Sequence, residues 1–480
     1  MKLDQLLRGI PNDLLAGAAE RPPADLEVKG LCTNSHACQA GDLFIGMPGT
    51  RVDGGEFWPS ALEAGAVAAL VSEQALQQRP VPPGEAHAVL PLTNMAVACA
   101  EVAARFYDYP AHKLKLVGVT GTNGKTTTTH LIEHLLSTVE QPTALLGTLY
   151  SRWPGHYQPA LYTTPFAVDL QADLAAAVAA GCQLGVMEVS SHALAQQRVW
   201  GCPFEVAVFT NLTQDHLDYH KDLDDYFSAK ALLFSPEYLR GRAVVNGDTP
   251  YGQRLAAQLG ADQVWTYSTQ NPDADLYTHD LSYLANGVKG YLHTPMGATE
   301  FTSPLVGQFN LENLLAAVGA ALHLGVSLSA IATTLSTFGG VPGRMEQVRV
   351  SPDQDVSVIV DYAHTPDSLK NSLQAARPFV TGKLICVFGC GGDRDRTKRP
   401  QMGRIAYDLA DTVVVTSDNP RTEDADRILQ DILEGIPKAL GPEEVVCDRA
   451  AAIESAIAMA QPGDCLVIAG KGHEDYQIVG

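Results

Sequence analysis

Short apolar runs and helical patterns alternate along most of the chain, and a turn containing Gly, Asp or Asn follows most of the runs. Apolar runs at 42–46 and 116–119 predict strands, and the pattern at 61–65 is typical of a helix. Strands that alternate with helices in this way form parallel sheets covered by helices. The pattern therefore predicts an α/β fold.

Two interruptions divide this rhythm into three blocks. The first lies near Tyr109-Pro110, and the second is the Gly- and Pro-rich stretch at 342–344. We therefore expect three domains with the bounds 1–110, 111–343 and 344–480.

Chemically reactive turns follow several of the predicted strands. In open α/β sheets, ligands bind beyond the carboxyl ends of the strands. The pattern thus predicts one site shared by the second and third blocks. The turns that indicate it begin after Val119, Met187, Val360, Thr416 and Ala469.

Composition narrows the classes of protein. The 480 residues are 46% hydrophobic and 18% charged, as in a globular chain, and the net charge of −21 disfavours a nucleic-acid partner. The sequence contains no run of 18 apolar residues and no secretory leader, so we expect a cytoplasmic protein without membrane insertion. The nine cysteines form no C-x-x-C pair, which favours reduced thiols.

A phosphate-binding loop is predicted at residues 121–127, Gly-Thr-Asn-Gly-Lys-Thr-Thr, between a strand and a helical run. Glycines let backbone N–H groups close around phosphate oxygens, Lys125 can reach the β- and γ-phosphates, and the Thr126 hydroxyl can hold Mg²⁺. The strict motif requires Gly at position 119, where this chain has Val, so the loop is a variant.

Metal chemistry is indicated at three further residues. Glu188 at a strand end could join Thr126 on one Mg²⁺, and His216 could bind a second; each could equally be a satisfied polar residue. Helical spacing places Tyr226, Phe227 and Phe234 on the face of Lys230, which would desolvate its amine and lower its pKa. A neutral amine can react with CO₂ to form a carbamate ligand for Mg²⁺. The alternative is a surface lysine whose stem covers apolar area.

These motifs occur together in an order that resembles the Mur ligases. The loop at 121–127, Glu188-Val189-Ser190-Ser191-His192, Asp215-His216-Leu217-Asp218 and Lys230 all match, and the resemblance spans all three blocks. It implies a three-domain architecture with a central P-loop ATPase-like domain and a Rossmann-like C-terminal domain. It also implies that Lys230 is carbamylated and positions the second Mg²⁺.

The resemblance further implies the reaction and its nucleotide site. ATP, with two Mg²⁺, would phosphorylate the free carboxylate of UDP-N-acetylmuramoyl-L-alanyl-D-glutamate, and the amine of meso-diaminopimelate would capture the acyl phosphate, as peptidoglycan synthesis requires. The implied catalytic residues are Lys125, Glu188, His216 and Lys230, with Thr126, Glu188, His216 and Lys230 on metal. The implied ATP contacts are Gly121, Thr122, Asn123, Gly124, Lys125, Thr126, Thr127, Asn313, Arg344 and Asp361.

Two more contact sets follow from the resemblance. The UDP-MurNAc dipeptide would meet Thr33, Ser35, Thr50, Arg51, Val52, Thr163, Thr164, Ser190, Gln196 and Arg198, although Thr33-Asn34-Ser35-His36 replaces a common Asp-Ser-Arg triplet. Diaminopimelate would meet Arg394, Asp418, Asn419, Pro420, Arg421, Gly470 and Glu474. The Arg421 fork suits the carboxylate that lysine lacks, whereas Arg394 could also belong to a solvated charge run.

Alternative functions stay open at this point. They are an enzyme that adds L-lysine, a ligase like folylpolyglutamate synthase, and a nucleotide-binding relative without turnover. The segments 418–421 and 470–474 argue against the second, and the presence of Lys125, Glu188, His216 and Lys230 argues against the third. We expect the protein to be a monomer.

Overall fold

The structure is a computed structural model that describes residues 1–8, 10, 26–49, 51–82, 88–139, 141–284, 287–351 and 353–480. Its α-helices are α1 Leu3–Leu7, α2 Trp58–Glu63, α3 Glu73–Gln78, α4 Met95–Phe106, α5 Lys125–Leu136, α6 Ala167–Ala179, α7 Ser191–Ala195, α8 Leu223–Ala231, α9 Pro250–Gln258, α10 Gln308–His323, α11 Leu328–Leu335, α12 Pro366–Ala376, α13 Lys398–Leu409, α14 Ala425–Leu433 and α15 Arg449–Met459. Short 3₁₀ helices lie at Gly54–Phe57, Pro110–Lys113, Ser137–Val139, Leu232–Phe234 and Arg377–Phe379.

The strands follow the same chain order. They are β1 Gly30–Cys32, β2 Asp42–Ile45, β3 Ala68–Ser72, β4 Val89–Leu92, β5 Lys115–Thr120, β6 Thr143–Leu146, β7 Tyr150–Trp153, β8 His156–Pro159, β9 Leu184–Glu188, β10 Phe204–Phe209, β11 Leu239–Asn246, β12 Val264–Ser268, β13 Leu276–Leu284, β14 Gly287–Thr294, β15 Gly297–Ser303, β16 Glu346–Val348, β17 Ser357–Asp361, β18 Leu384–Phe388, β19 Thr412–Val415 and β20 Cys465–Ala469.

Two compact units make up the chain. The first contains 1–118, 141–205 and 232–241, and the second contains 119–140, 206–231 and 242–480. Strands β5, β10 and β11 each begin in the first unit and end in the second.

The first unit contains a parallel sheet in the order β1-β2-β3-β4. Leu43 and Ile45 on one face of β2 pack into a core with α1 and α4, while Phe44 on the other face packs against Trp58 of α2. This alternation is what a strand covered on both faces requires. The unit also contains the strand order β9-β6-β7-β8, in which β9 and β6 are parallel.

The second unit contains two sheets. One has the order β15-β14-β13-β12-β11-β10-β5, in which β11, β12 and β13 run parallel and β13, β14 and β15 form an antiparallel meander. The other has the order β16-β17-β20-β18-β19 and is parallel except for β16. Every residue of β18 is buried, which explains why its sequence is a continuous apolar run.

The expected α/β elements are present, with small differences at their ends. Glu188 and Asp361 are the last residues of β9 and β17 instead of the first residues of the following turns. Helix α8 ends at Ala231, so Phe234 lies in a 3₁₀ helix and does not continue the helical face of Lys230. None of the described helices is both long and apolar enough to cross a membrane.

Candidate active site

The predicted phosphate loop connects β5 to α5 in the second unit. Gly124 has a φ of +87°, and a Cβ at this position would collide with the Asn313 side chain of α10. The same Asn313 Oδ1 accepts a hydrogen bond of 3.3 Å from Thr128 Oγ1. Thr127 is buried in the first turn of α5. Helix α10 therefore fixes the entry into α5, and only glycine fits at position 124.

The segment after β10 forms a second wall of the loop. Asn123 N donates to Asn211 Oδ1 at 2.9 Å, and Thr122 N donates to Asn211 O at 2.9 Å. Thr210 Oγ1 donates to Asn123 O at 2.6 Å. These contacts hold the loop backbone in one conformation through residues that lie far from it in the sequence.

Two lysine amines meet one backbone carbonyl at the start of this loop. Lys125 Nζ donates to Gly121 O at 3.0 Å and to Thr122 O at 2.8 Å. Lys230 Nζ donates to the same Gly121 O at 2.7 Å. The structure thus brings together two lysine amines that lie far apart in the sequence.

Lys230 is nearly inaccessible to solvent, with 1% exposure, and its amine lies 4.4 Å from the centre of the Tyr226 ring. Burial and the neighbouring Lys125 hold the pKa of Lys230 well below its usual value, and Asp215 opposes them. The sequence predicted this desolvation. Of the three aromatic residues it invoked, Tyr226 is the one that lies over the amine, while Phe227 packs against Phe209 and Tyr251.

Several basic side chains lie near the carboxylate of Asp215, beside the loop. Burial raises the pKa of its carboxyl, but His216, His364 and Lys398 outweigh that effect and lower the pKa. The Oδ2 atom lies 3.3 Å from His216 Nε2 and 3.8 Å from His364 Nε2. His216 itself has a φ of +55°, which directs its half-exposed ring alongside Tyr226.

Arg344 contacts the first turn of α5. Its Nη2 donates to Thr126 Oγ1 at 3.0 Å, and its guanidinium lies 4.4 Å from the centre of the Tyr362 ring. Asp361 Oδ2 accepts from Met345 N at 3.0 Å and holds this segment. Burial raises the pKa of Asp361 to about 6, although Arg344 acts to lower it.

Residues of the amino-acid set lie around the buried amide of Asn419. Its Oδ1 accepts from Lys471 Nζ at 3.0 Å, and its Nδ2 donates to Glu474 Oε2 at 3.0 Å. Lys471 also forms an ion pair of 2.8 Å with Glu474. Asn419 N donates to Asp418 Oδ1 at 2.6 Å. Pro420, the next residue, is buried, and so is Gly470, which precedes Lys471. This network is satisfied by opposite charges within the protein.

Two arginines of the same set donate hydrogen bonds to backbone carbonyls. Arg421 Nη1 donates to Gly392 O at 2.8 Å, and Arg394 Nη1 donates to Asp393 O at 3.0 Å. Arg421 is partly buried with a φ of +52°, while Arg394 is exposed. A Cβ at Gly391 would lie 2.9 Å from Arg421 Nη1 and 3.8 Å from Arg394 Cγ, so both side chains pass this glycine.

In the first unit, Glu188 anchors a connected set of predicted residues. The buried carboxylate accepts from Thr148 N at 2.7 Å and from Thr148 Oγ1 at 3.0 Å. Thr148 Oγ1 lies 3.1 Å from Thr163 Oγ1. Thr164 Oγ1 donates to Glu188 O at 2.8 Å and accepts from Ser190 N at 3.0 Å.

Arg198 extends this set. It donates to Thr164 O at 3.0 Å and to Gln196 Oε1 at 2.7 Å, and its guanidinium lies 3.9 Å from the centre of the Phe166 ring. The structure therefore brings Thr163, Thr164, Ser190, Gln196 and Arg198 together around Glu188.

The other predicted residues of the first unit lie near the β1–β4 sheet. Thr33 is exposed and Ser35 is buried in the turn after β1. Arg51 and Val52 are exposed in a turn that Gly49 N closes onto Val52 O at 3.1 Å. Thr50 lies outside the described residues.

Several residues at the site were missed from the sequence. Asp215 and His364 belong to the lysine and histidine cluster, and Lys471 balances Glu474. Asp215 precedes a predicted ligand and Lys471 lies within a predicted glycine turn, so adjacency to those motifs was the available signal.

Comparison with known proteins gives three family matches. Residues 27–107 match the Mur ligase family, catalytic domain; residues 119–321 match the Mur ligase middle domain; and residues 343–472 match the Mur ligase, glutamate ligase domain.

Individual relatives and structures agree with these matches. A protein of Nostoc sp. named UDP-N-acetylmuramoyl-L-alanyl-D-glutamate–2,6-diaminopimelate ligase is 66% identical over 482 residues, covering 100% of this chain and 96% of that protein. A solved structure of the same name is 37% identical with a TM-score of 0.66, covering 94% of this chain and 91% of that one. Folylpolyglutamate synthase from Mycobacterium tuberculosis, complexed with ADP and AMPPCP, is similar in fold alone, at 19% identity, a TM-score of 0.63 and coverage of 78% and 92%.

Proposed function

Because this chain belongs to the Mur ligase family, we propose that it joins meso-diaminopimelate to UDP-N-acetylmuramoyl-L-alanyl-D-glutamate at the expense of ATP. The predicted three-domain α/β architecture is confirmed by the family matches. The likeness of this chain to the Nostoc enzyme extends over its whole length, which favours this substrate pair over the folylpolyglutamate alternative.

The observation that carries the proposal is the convergence of Lys125 and Lys230 on Gly121 O at the glycine-rich loop. Backbone N–H groups of such a loop and the start of α5 suit phosphate oxygens. Burial of a second amine, which lowers its pKa, is not needed for simple phosphate binding, whereas carbamylation uses the neutral amine that a lower pKa favours. This pairing therefore favours phosphoryl transfer over passive nucleotide binding.

We propose a reaction in two bond exchanges. A carboxylate oxygen of the precursor forms a bond to the γ-phosphorus of ATP, and the bond from that phosphorus to the β–γ bridging oxygen breaks to give ADP. The neutral amine of diaminopimelate then forms a bond to the acyl carbon, and inorganic phosphate leaves as the amine loses a proton. The protein contributes mainly positioning and positive charge.

The nucleotide contacts proposed from the sequence are supported by placement within the second unit. Lys125 donates to two carbonyls of the loop itself, which places its amine at the proposed phosphate site. Arg344 contacts α5 through Thr126, and Asp361 holds the Arg344 segment. We propose Gly121, Thr122, Asn123, Gly124, Thr127 and Asn313 as the remaining ATP-site residues.

Magnesium and a lysine carbamate are proposed on the chemistry of the donors. Carbamate formation joins CO₂ to the Lys230 amine with loss of one proton, and the low pKa of Lys230 supplies the neutral amine this requires. The proposed ligands Thr126, Glu188 and carbamylated Lys230 offer the oxygen atoms that Mg²⁺ prefers, with His216 as a nitrogen ligand. When bound, Mg²⁺ supplies positive charge to phosphate oxygens.

Recognition of the two other substrates is proposed as follows. Thr33, Ser35, Thr50, Arg51, Val52, Thr163, Thr164, Ser190, Gln196 and Arg198 would bind the nucleotide-sugar dipeptide in the first unit. Arg421 and Arg394 would bind the additional carboxylate of diaminopimelate, because their guanidinium groups pass the same glycine and are suited to bidentate bonds with a carboxylate. Asp418, Asn419, Pro420, Gly470 and Glu474 would form the remaining wall.

The test is a phosphate-release assay with the muramoyl dipeptide precursor, ATP and Mg²⁺. Meso-diaminopimelate, L-lysine and L-ornithine are supplied separately as amine donors. We expect release that depends on both precursor and diaminopimelate, with product confirmed by mass spectrometry. Preference for L-lysine would identify the alternative substrate, and ATP binding without release in any mixture would contradict the proposal.

A further inference from the structure

A compact group of metal-ligand side chains lies in the first unit, at the turn that connects β1 to β2. Cys32 ends β1, Asp42 begins β2, and Cys38 lies in the turn between them. One ligand atom from each, two Sγ atoms and a carboxylate oxygen, lies within 4.8 Å of the other two. The group belongs to neither the nucleotide set nor the amino-acid set.

The sheet itself positions the carboxylate of this group. Gly30 of β1 pairs with Asp42 of β2, and a Cβ at position 30 would collide with Asp42 Oδ1. The glycine therefore leaves the space that the carboxylate occupies. Gln39 N donates to Asp42 Oδ2 at 2.9 Å and fixes its orientation. A carboxylate with one oriented oxygen is a preformed ligand.

The thiols lie beside one another in the same small volume. Cys32 is buried, Cys38 is half-buried, and Cys32 Sγ donates to Asn34 O at 2.9 Å. Two thiolates bound to Zn²⁺ at tetrahedral angles lie about 3.8 Å apart, so these thiols need little movement to bind one ion.

We propose that Cys32, Cys38 and Asp42 bind one thiophilic divalent cation, Zn²⁺, with water as its fourth ligand. Thiolate sulfur selects Zn²⁺ over Mg²⁺, which prefers oxygen. Binding forms two Zn–S bonds and releases both thiol protons, so affinity increases with pH. The ion ties the end of β1 to the start of β2 across the turn.

This ion would brace the turn that carries Thr33 and Ser35. If these residues bind the nucleotide-sugar precursor, which rests on the proposed function, the ion lowers the KM for that precursor. The KM for ATP is expected to stay the same, because its proposed contacts lie in the second unit.

The test uses the full chain with Co²⁺ as a spectroscopic substitute for Zn²⁺. The protein is reduced with a phosphine, freed of metal and titrated with Co²⁺ in excess Mg²⁺, which saturates oxygen sites. We expect a thiolate-to-cobalt charge-transfer band in the near ultraviolet that Zn²⁺ abolishes. Cys38→Ser and Asp42→Ala should each weaken binding by at least about 100-fold. Cys447→Ser, which changes another partly exposed thiol, should keep the band.

A second measurement uses the wild-type protein alone. Zn²⁺ should slow the reaction of Cys38 with a thiol reagent and leave Cys447 unaffected, as peptide mapping would show. Absence of the band from the reduced wild-type protein, or its persistence in Cys38→Ser, would overturn the zinc site. Amide-bond formation in the activity assay without the cobalt band would contradict the zinc site alone. The cobalt band without amide-bond formation would contradict the proposed function alone.

Discussion

Two buried lysines in the second unit show opposite ways of keeping a cationic side chain inside a protein. Lys471, 7% exposed, forms an ion pair of 2.8 Å with Glu474 and a hydrogen bond with Asn419. Lys230, 1% exposed, donates to the backbone carbonyl of Gly121 and lies near a second lysine. The first environment stabilises an ammonium ion, and the second favours the neutral amine.

The contrast separates structural charge from chemical reactivity. A lysine in an ion pair such as Lys471–Glu474 suits a structural role, because its charge has a partner. A buried lysine whose pKa is lowered favours the neutral amine, whose nitrogen can attack CO₂ as proposed. The predictions below test whether the two lysines divide these roles as proposed.

The largest expected effect is on turnover. Lys230→Ala should lower kcat for phosphate release by about 10³-fold or more, because the proposed carbamate ligand of the second Mg²⁺ is lost, and with it positive charge at the transferring phosphoryl group. ATP binding, measured by calorimetry, should change little. Lys289→Ala, an exposed lysine of β14, serves as the matched control and should retain full activity. Normal turnover in Lys230→Ala would remove this lysine from the mechanism.

The free energy of unfolding should depend on Lys471 more than on Lys230, the reverse of what is expected for turnover. Lys471→Met leaves the half-buried Glu474 without its cation and should lower the free energy of unfolding by about 2 kcal/mol. Lys230→Met removes an amine whose pKa burial already lowers, and should change the free energy of unfolding by less than about 1 kcal/mol. Urea denaturation followed by circular dichroism measures both. Equal losses of unfolding free energy in the two variants would contradict the proposed difference between the lysines.

Substrate selectivity should depend on Arg421. Arg421→Lys replaces a planar fork with a single ammonium and should reduce kcat/KM for diaminopimelate by about 10- to 100-fold. The KM for ATP should remain within about twofold, because charge at the loop is unchanged. Arg404→Lys, in the surface pair with Asp408, is the control. An unchanged preference among the amine donors would contradict the assignment.

The smallest expected effect is on the pH dependence of ATP binding. The pKa of Asp361 is raised to about 6, so its charged form predominates above that pH and declines below it. ATP affinity should therefore fall about fourfold between pH 7.5 and 5.5, beyond any titration of ATP itself. The Asp361→Asn variant, measured in the same buffers, gives the part of the pH dependence that comes from titration of ATP itself. Parallel pH profiles for the two proteins would rule out the carboxylate as the cause.

The phosphate loop was predictable because its residues are contiguous and its flanking strand and helix have local signals. The contacts that complete the site are long-range. Arg344 and Thr126 are 218 residues apart, and Lys471 and Asn419 are 52 apart. No periodicity encodes which distant residue supplies a partner, so the sequence indicated the motifs but not their pairing. The resemblance to a family supplied candidates, whose roles stay predictions.

The Lys230 environment illustrates the same limit in detail. Helical spacing correctly indicated burial of the amine and placed Tyr226 on its face. It could not indicate that the helix ends at Ala231, or that Asp215 and Lys125 would influence the pKa. Local pattern predicts the face of a helix, whereas the charges around a side chain depend on tertiary packing.

The hydrogen bond from Arg344 to Thr126 has a consequence for inhibitor design. It joins a residue matched to the glutamate ligase domain with one matched to the middle domain, at a hydroxyl that Mg²⁺ would also claim. If Thr126 binds Mg²⁺ as proposed, one hydroxyl would serve both the metal and Arg344. A compound that bridges this guanidinium and hydroxyl, without resembling adenine or triphosphate, would compete with Mg²⁺ for Thr126 and inhibit by blocking the metal rather than by mimicking the nucleotide.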